Sequence, residues 1–195
     1  MSEVIKAYGY EWEILDKEYE AADGQGILCL MKEPMKTMAF SKDEDNYYPD
    51  SDIAERVADF SKEIEGMGAQ FRTVELDLTA DDGTGWDKDK LKVKGAFLLT
   101  ADMYRKYRRH ISNKDDWWWL ATAYSFSSGY SRHARLVAAD GTLDYNLAYY
   151  EHYGVAPACV FSFPPQQGER QKEIEDIKEQ MKSLKEQIEK IEKSL

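Results

Sequence analysis

The sequence predicts an α+β protein: antiparallel sheets with two helices, followed by a separate C-terminal helix. Three observations predict it. Short alternating apolar runs bounded by Gly, Pro and Asp recur through the first 163 residues, the pattern of strands joined by turns. Two stretches, 50–66 and 101–111, carry a helical period instead. From Glu169 onward, Ile174, Ile177, Met181, Leu184, Ile188, Ile191 and Leu195 repeat at steps of three and four. The implied division is a sheet-bearing domain over 1–165 and a coiled-coil helix over 169–195.

Taken in order, Tyr8 to Asp16 reads as a strand with Trp12 and Ile14 on one face. Gly24 and Gly26 mark a turn, and Gly26 to Met31 reads as a buried strand pairing back on the first. Lys32 to Pro49 reads as a loop, with a short strand at Met38 to Phe40 as an alternative. Ile53, Val57, Phe60 and Ile64 form one helical stripe, which predicts a core-facing helix over Asp50 to Gly66. Ser51 or Asp52 can cap it, and Asp52 with Glu55 resembles a capping box. Gln70 to Leu78 alternates as a strand. Thr79 to Lys90 gathers Asp81, Asp82, Asp87 and Asp89 around Gly83 and Gly85. That is either a solvated acidic turn or an ion loop, although the EF-hand spacing is missing.

Val93 to Leu99 reads as a strand, and Thr100 as the cap of a helix over Ala101 to Ile111 with Met103 and Tyr107 inward. Arg105, Lys106, Arg108 and Arg109 crowd its last turns, where cations suit the helix dipole. Trp117, Trp118 and Trp119 follow. In a strand the first and third share a face and the second takes the other, so at least one must be core. Tyr124 to Ser131 reads as a loop, Ala134 to Ala138 as a strand, and Asp140-Gly141 as a hairpin turn. Thr142 to Tyr149 returns with Leu143 and Leu147 on one face and Asp144 and Asn146 outward. Tyr149 to Tyr153 is a second loop, Val155 to Phe163 closes the sheet, and Pro164-Pro165 ends the domain.

In the C-terminal helix, Glu173 at g and Lys178 at e can pair between parallel chains. The mix of Ile, Met and Leu at a and of Ile and Leu at d favours a trimer or tetramer over a dimer. A helix folded back on its own domain is the alternative.

The chain of 195 residues carries a net charge of −11, which argues against nucleic acid and against anionic membrane surfaces. No apolar run is long enough for a membrane span, and the first residues lack the pattern of a secretory signal. A cytoplasmic or virion location is therefore expected, with Cys29 and Cys159 as free buried thiols. His110, His133 and His152 show no metal-ligand spacing, and no nucleophile elbow, phosphate loop or dinucleotide fingerprint occurs. The sequence thus points away from an enzyme and gives no cofactor and no metal.

One stretch uses a different alphabet. From Ala121 to Phe163 there is no Lys, Gln, Met or Trp, and the single Glu is Glu151. Tyr, Ser, Gly, Ala, Asp, His and Arg fill it. A strand-rich subdomain accounts for this, because Lys and Glu are depleted in strands. So does a binding face built like a paratope, where Tyr supplies rigid amphipathic area and Ser, Gly and Asn supply adaptable hydrogen bonds.

The order Trp118-Trp119-Leu120-Ala121-Thr122-Ala123, then Val137, Gly141 and Leu143, then Gly154-Val155-Ala156-Pro157-Ala158 resembles a domain family of gut bacteria and their phages. That family reads W-W-L-R-S-P, V-x-x-x-G-x-L and G-V-R-P-A. Both of its arginine positions are alanine here, Ala121 and Ala156. The family is similar to the C-type-lectin fold used by formylglycine-generating enzymes and by variable proteins of diversity-generating retroelements. The resemblance implies a C-type-lectin-like domain. It does not bring formylglycine chemistry, because Cys29 and Cys159 do not stand where that family's thiols stand. The calcium and sugar signatures of animal lectins are also missing. Retroelements turn adenines of AAC codons into any base, and the resulting NNC codons never encode Lys, Glu, Gln, Met or Trp. The alphabet of 121–163 nearly matches that exclusion.

The expectation is a non-enzymatic ligand-binding or display module: a phage or prophage receptor-binding protein, or a retroelement-diversified variable protein. Its ligand would be a protein or a cell surface. The candidate face is Tyr124, Phe126, Tyr130, Arg132, His133, Arg135, Asp144, Tyr145, Asn146, Tyr149, Tyr150, His152 and Tyr153. Trp117, Trp118, Trp119, Gly141, Gly154 and Pro157 are expected to be structural. The alternative is a fixed virion or scaffold protein of the same fold that packs on a partner protein.

Overall fold

The computed structural model describes residues 3–87, 90–162 and 165–192, with side chains described for most of them. It is a mixed α+β fold with mostly antiparallel sheets and three α-helices among the described residues. In chain order the elements are β1 (Glu3–Ala7), β2 (Tyr10–Ala21), β3 (Gly24–Met31), β4 (Met35–Met38), α1 (Asp52–Gly66), β5 (Thr73–Leu76), β6 (Leu91–Lys94), β7 (Ala96–Phe97), α2 (Ala101–Tyr107), β8 (Trp118–Ala123), β9 (His133–Val137), β10 (Leu143–Leu147), β11 (Tyr153–Val155), β12 (Ala158–Phe161) and α3 (Pro165–Glu192).

Two five-stranded sheets carry the core, one in the order β1-β2-β3-β12-β7 and the other β10-β9-β8-β11-β4. In the first, the late strand β12 lies antiparallel between β3 and β7, so the end of the domain locks its beginning. In the second, β8, β9 and β10 form an antiparallel meander, and β11 joins β8 in parallel. Trp12, Phe60, Phe97, Trp118, Trp119 and Phe161 are fully buried, which makes this an aromatic core.

Ser51 caps α1 through its side chain, which accepts from the Ala54 N–H at 3.3 Å. Asp52, the other candidate cap, sits inside the helix and accepts from Lys42 N instead, at 2.7 Å. Ile53, Val57, Phe60 and Ile64 are the buried stripe. The N-terminal strand is longer than its alternation suggests. Tyr8 and Gly9, with φ of 54° and 77°, make a tight turn that splits it into β1 and β2.

Several expectations are corrected. The strand over Val93 to Leu99 is two pieces, β6 and β7, broken at Gly95. That residue has φ of +148°, and a Cβ there would lie 2.7 Å from Ser61 Oγ, which accepts the Ala96 N–H. The loop over Lys32 to Pro49 contains β4 at Met35–Met38, slightly earlier than the Met38–Phe40 alternative, and β4 pairs with β11. Regular helix in 101–111 ends at Tyr107 and tightens into a 3₁₀ turn; Tyr104 and Tyr107 face the core, whereas Met103 is half-buried. Val155 to Phe163 is not one strand. β11 and β12 belong to different sheets, and the chain crosses between them at Ala156-Pro157, where proline offers no N–H to continue a ladder. The Pro157 carbonyl instead accepts Met31 N at 2.8 Å.

Cys29 and Cys159 are free thiols and cross-strand neighbours on β3 and β12. Burial pushes both thiols above the usual range. α3 starts at Pro165, ahead of the expected Glu169, and approaches β1. Ile174, Ile177, Met181 and Leu184 are all exposed on the single chain. The side chains of Ile188 and Ile191, and all of Leu195, Phe163, Pro164 and Asp89, lie outside the described residues.

Candidate functional site

The β9–β10 hairpin builds the site. Register places Tyr145 opposite Arg135 and Leu147 opposite His133, so these side chains share one face of the sheet. Tyr124 leaves the end of β8 onto that face, its N–H donating to the His133 carbonyl at 2.8 Å. The Tyr124 and Tyr145 rings stack at 4.0 Å and 24°. Tyr130 packs on Tyr124 at 5.3 Å and on His133 at 5.6 Å, and His133 meets the Tyr145 ring at 5.6 Å. Tyr130 and Tyr145 remain exposed, at 47% and 37%.

Arg135 lies beneath these rings, its guanidinium carbon 4.9 Å from the Tyr124 centroid and 5.9 Å from that of Tyr145. Its charge is answered by Asp81, which also pairs with Arg105 at 2.5 Å. Burial alone would raise the Asp81 carboxyl, but hydrogen bonds from Arg105 and Arg135 outweigh it and hold the group below the usual carboxylate range. His133 Nδ1 and Arg135 Nε are buried with no hydrogen-bond partner among the described residues. Such atoms are costly and uncommon in folded proteins.

The loop feeding this patch is tied down from below. Asn46, fully buried, donates to the carbonyls of Ser125 at 2.8 Å, His133 at 3.0 Å and Tyr130 at 3.3 Å. Phe126 packs near Tyr47, and its N–H is taken by Thr84 Oγ1 at 2.8 Å. Arg132, mostly exposed, reaches Glu44 at 2.6 Å.

The other candidates belong to a second patch. Strand alternation puts Asp144 and Asn146 on the opposite face of β10 from Tyr145. Asn146 Nδ2 donates to the Tyr153 hydroxyl at 2.5 Å. Tyr153 stacks on Trp117 at 5.8 Å and meets the Trp119 edge at 4.9 Å. Tyr149 and Tyr150 pack on each other at 5.1 Å and are both exposed, as is His152. The single continuous face expected from the sequence is therefore two patches, because β10 divides its residues between two sides of the sheet. None of the thirteen candidates is buried.

Trp118 and Trp119 are both core, on opposite faces of β8; Trp119 Nε1 donates to the Met38 carbonyl at 3.0 Å. Trp117 precedes the strand and is partly exposed. Gly141 has φ of +83°, and a Cβ there would collide with the Arg108 guanidinium. A Cβ at Gly154 would meet Pro34 at 2.7 Å.

Asp81, Arg105 and Asn46 were missed as parts of the site. Asp81 reads locally as part of an acidic turn and Arg105 as part of a basic helix end. The one signal was their opposite charge. In the same acidic loop, Asp82 accepts from the backbone and hydroxyl of Thr84. No group of three or more His, Cys, Asp or Glu side chains is placed to hold a metal among the described residues. No helix among them is long and apolar enough to cross a membrane.

Residues 75–162 are similar to a family described only as a domain of unknown function (DUF6273). The matched stretch is shorter than half of the chain. It contains the Trp cluster, both aromatic patches and Gly154 to Ala158, and it brings no activity with it. No curated protein and no solved structure matches the chain.

Proposed function

We propose that this protein is a non-enzymatic binding and display module on a C-type-lectin-like scaffold, working as a phage or prophage receptor-binding protein or a retroelement-diversified variable protein. The observation that carries the reading is the Tyr124–Tyr130–His133–Tyr145 patch. Its rings are half-exposed yet held in fixed contact on a paired hairpin, with Arg135 already neutralised by Asp81 beneath them. Rigid amphipathic rings lose little entropy on binding and make strong interface anchors. The scaffold part of the reading rests on the resemblance of 118–158. The pairing of β12 with the N-terminal hairpin, together with two helices on antiparallel sheets, supports it. Exposed Ile174, Ile177, Met181 and Leu184 on α3 support assembly into a trimer or tetramer, which would multiply weak contacts.

Fluorescently labelled protein applied to a panel of intact bacterial cells tests this. The expected result is staining of some strains, lowered at least ten-fold in apparent affinity by Tyr130→Ala with Tyr145→Ala. A panel that stays dark, or staining equal in the variant, overturns it. Sequencing sibling copies of the gene separates a diversified face from a fixed one. Differences confined to codons of the two patches mark display, and uniform copies mark the fixed virion or scaffold protein.

A further inference from the structure

One end of the second sheet is β10, whose outer side pairs with no strand among the described residues. The ladder shows which backbone groups point there. Ala138 N–H donates to the Thr142 carbonyl at 2.9 Å, and Ala148 N–H to the Arg132 carbonyl at 2.7 Å, so these two pairs bracket the β9–β10 register. Hydrogen-bonded and open pairs alternate along an antiparallel ladder. The backbone of Asp144 and Asn146 therefore faces β9, and that of Leu143, Tyr145 and Leu147 faces outward. Two of those outward N–H groups are already taken. Asp144 Oδ1 accepts the Tyr145 N–H at 2.8 Å, and Asn146 Oδ1 accepts the Leu147 N–H at 2.8 Å. The outward Leu147 carbonyl accepts the Tyr150 N–H at 3.1 Å. Asn146 is itself held in place, its Nδ2 donating to the Tyr153 hydroxyl.

We infer that Asp144 and Asn146 are a guard on this edge: they occupy the donors that β10 of a second copy would use, and so keep two domains from joining strand to strand. An open strand edge is a template for pairing with another chain. A second β10 laid antiparallel would satisfy the same groups on both copies, the self-complementary contact of a two-fold pair. Edge strands are commonly protected by Lys, Pro or a bulge. β10 reads LDYNL, with no Lys or Pro, and its register with β9 runs without a shift. Short Asp and Asn side chains compete with a ladder for nearby backbone groups, and here they do so at the outward amides alone. The role needs no ligand, so the inference stands apart from the proposed binding function, although both residues belong to the candidate face.

Asp144→Ala with Asn146→Ala in the full-length protein bares both amides. Light scattering should then show a mass that rises with concentration to at least twice that of wild type. In dilute solution the Tyr145 and Leu147 amides should exchange at least ten-fold faster. Asp144→Asn with Asn146→Asp keeps both acceptors and the net charge, and should match wild type in both readouts. Asp144→Asn alone loses the charge but keeps the acceptor; its wild-type mass separates capping from charge repulsion. An alanine pair with wild-type mass overturns the inference, and so does a swapped pair that grows as the alanine pair does. Should the alanine pair lose its near-ultraviolet circular dichroism, Asp144→Ala alone leaves the Asn146–Tyr153 bond in place. Its Tyr145 amide should exchange at least ten-fold faster than that of Asp144→Asn, and equal rates overturn the guard.

Discussion

Glu13 and Lys114 form an ion pair sealed from water, with side-chain exposures of 0% and 1%. Lys114 Nζ reaches Glu13 Oε2 at 3.2 Å and the carbonyls of Met31 and Lys32 at 3.1 and 2.7 Å. The other Glu13 oxygen accepts Ser112 N at 2.8 Å. Burial pushes the lysine below its usual range against the pull of Glu13, so the charge is held at a cost. What the pair achieves is position: it pins the segment entering the Trp cluster to β2 and the end of β3. None of this was legible locally. The alternation of Tyr8 to Asp16 exposes Glu13, and its partner is 101 residues away. Removing one partner strands the other charge in the core. Lys114→Ala should therefore destabilise the fold by about 3–5 kcal/mol. Glu13→Leu with Lys114→Met strands no charge and should lose less than Lys114→Ala, although Ser112 N–H and the Met31 and Lys32 carbonyls still lose their partners. Urea unfolding of the three proteins decides it; a single variant losing under about 1 kcal/mol would show that water reaches the pair.

At the level of elements, the sequence was most legible where one local rule acts. The α1 stripe, the Thr100 cap and the Asp140-Gly141 turn all follow from a few neighbouring residues. It was least legible where a second sheet or a distant side chain decides. The β11–β12 break depends on which sheet each half joins. The division of the tyrosine-rich face depends on a strand's two-residue period, which the composition of 124–153 hides. The loop between β8 and β9 is the sharpest case: its residues read only as an exposed loop, yet the distant Asn46 holds the carbonyls of Ser125, Tyr130 and His133 around it. Asn46→Ala takes the side-chain donor from the Ser125 carbonyl and leaves the Tyr130 and His133 carbonyls only their backbone donors, His133 N–H and Tyr124 N–H, and about 1–3 kcal/mol should be lost. The loss should be local. Amide exchange at Tyr130 and His133, whose N–H groups donate within the loop at 3.1 and 2.9 Å, should quicken while the Trp118–Leu120 amides stay protected. Equal protection in both proteins would mean that the stacked rings alone order the loop.

For the whole molecule, α3 is the part whose purpose the single chain leaves open to solvent. Its heptad steps are legible because one period repeats along the helix, and the structure places Ile174, Ile177, Met181 and Leu184 at 46–58% exposure instead of against the domain. An apolar seam on an otherwise charged helix gains stability when other seams cover it. The polar positions favour parallel partners: Glu173 can meet Lys178 of a neighbouring helix, whereas antiparallel helices would bring Lys178 and Lys185 toward each other. Two charges placed in the seam test the assembly without shortening the chain. Met181→Glu with Leu184→Glu should reduce the mass seen by light scattering from a trimer or tetramer to one chain. The sheet domain should keep its near-ultraviolet circular dichroism, because those two residues touch none of its core. Staining of cells should fall with the loss of avidity, while the affinity of a single domain for an isolated ligand should not move. If wild type and variant have the same mass, α3 does not assemble the protein, and whatever binding the aromatic patches provide acts one copy at a time.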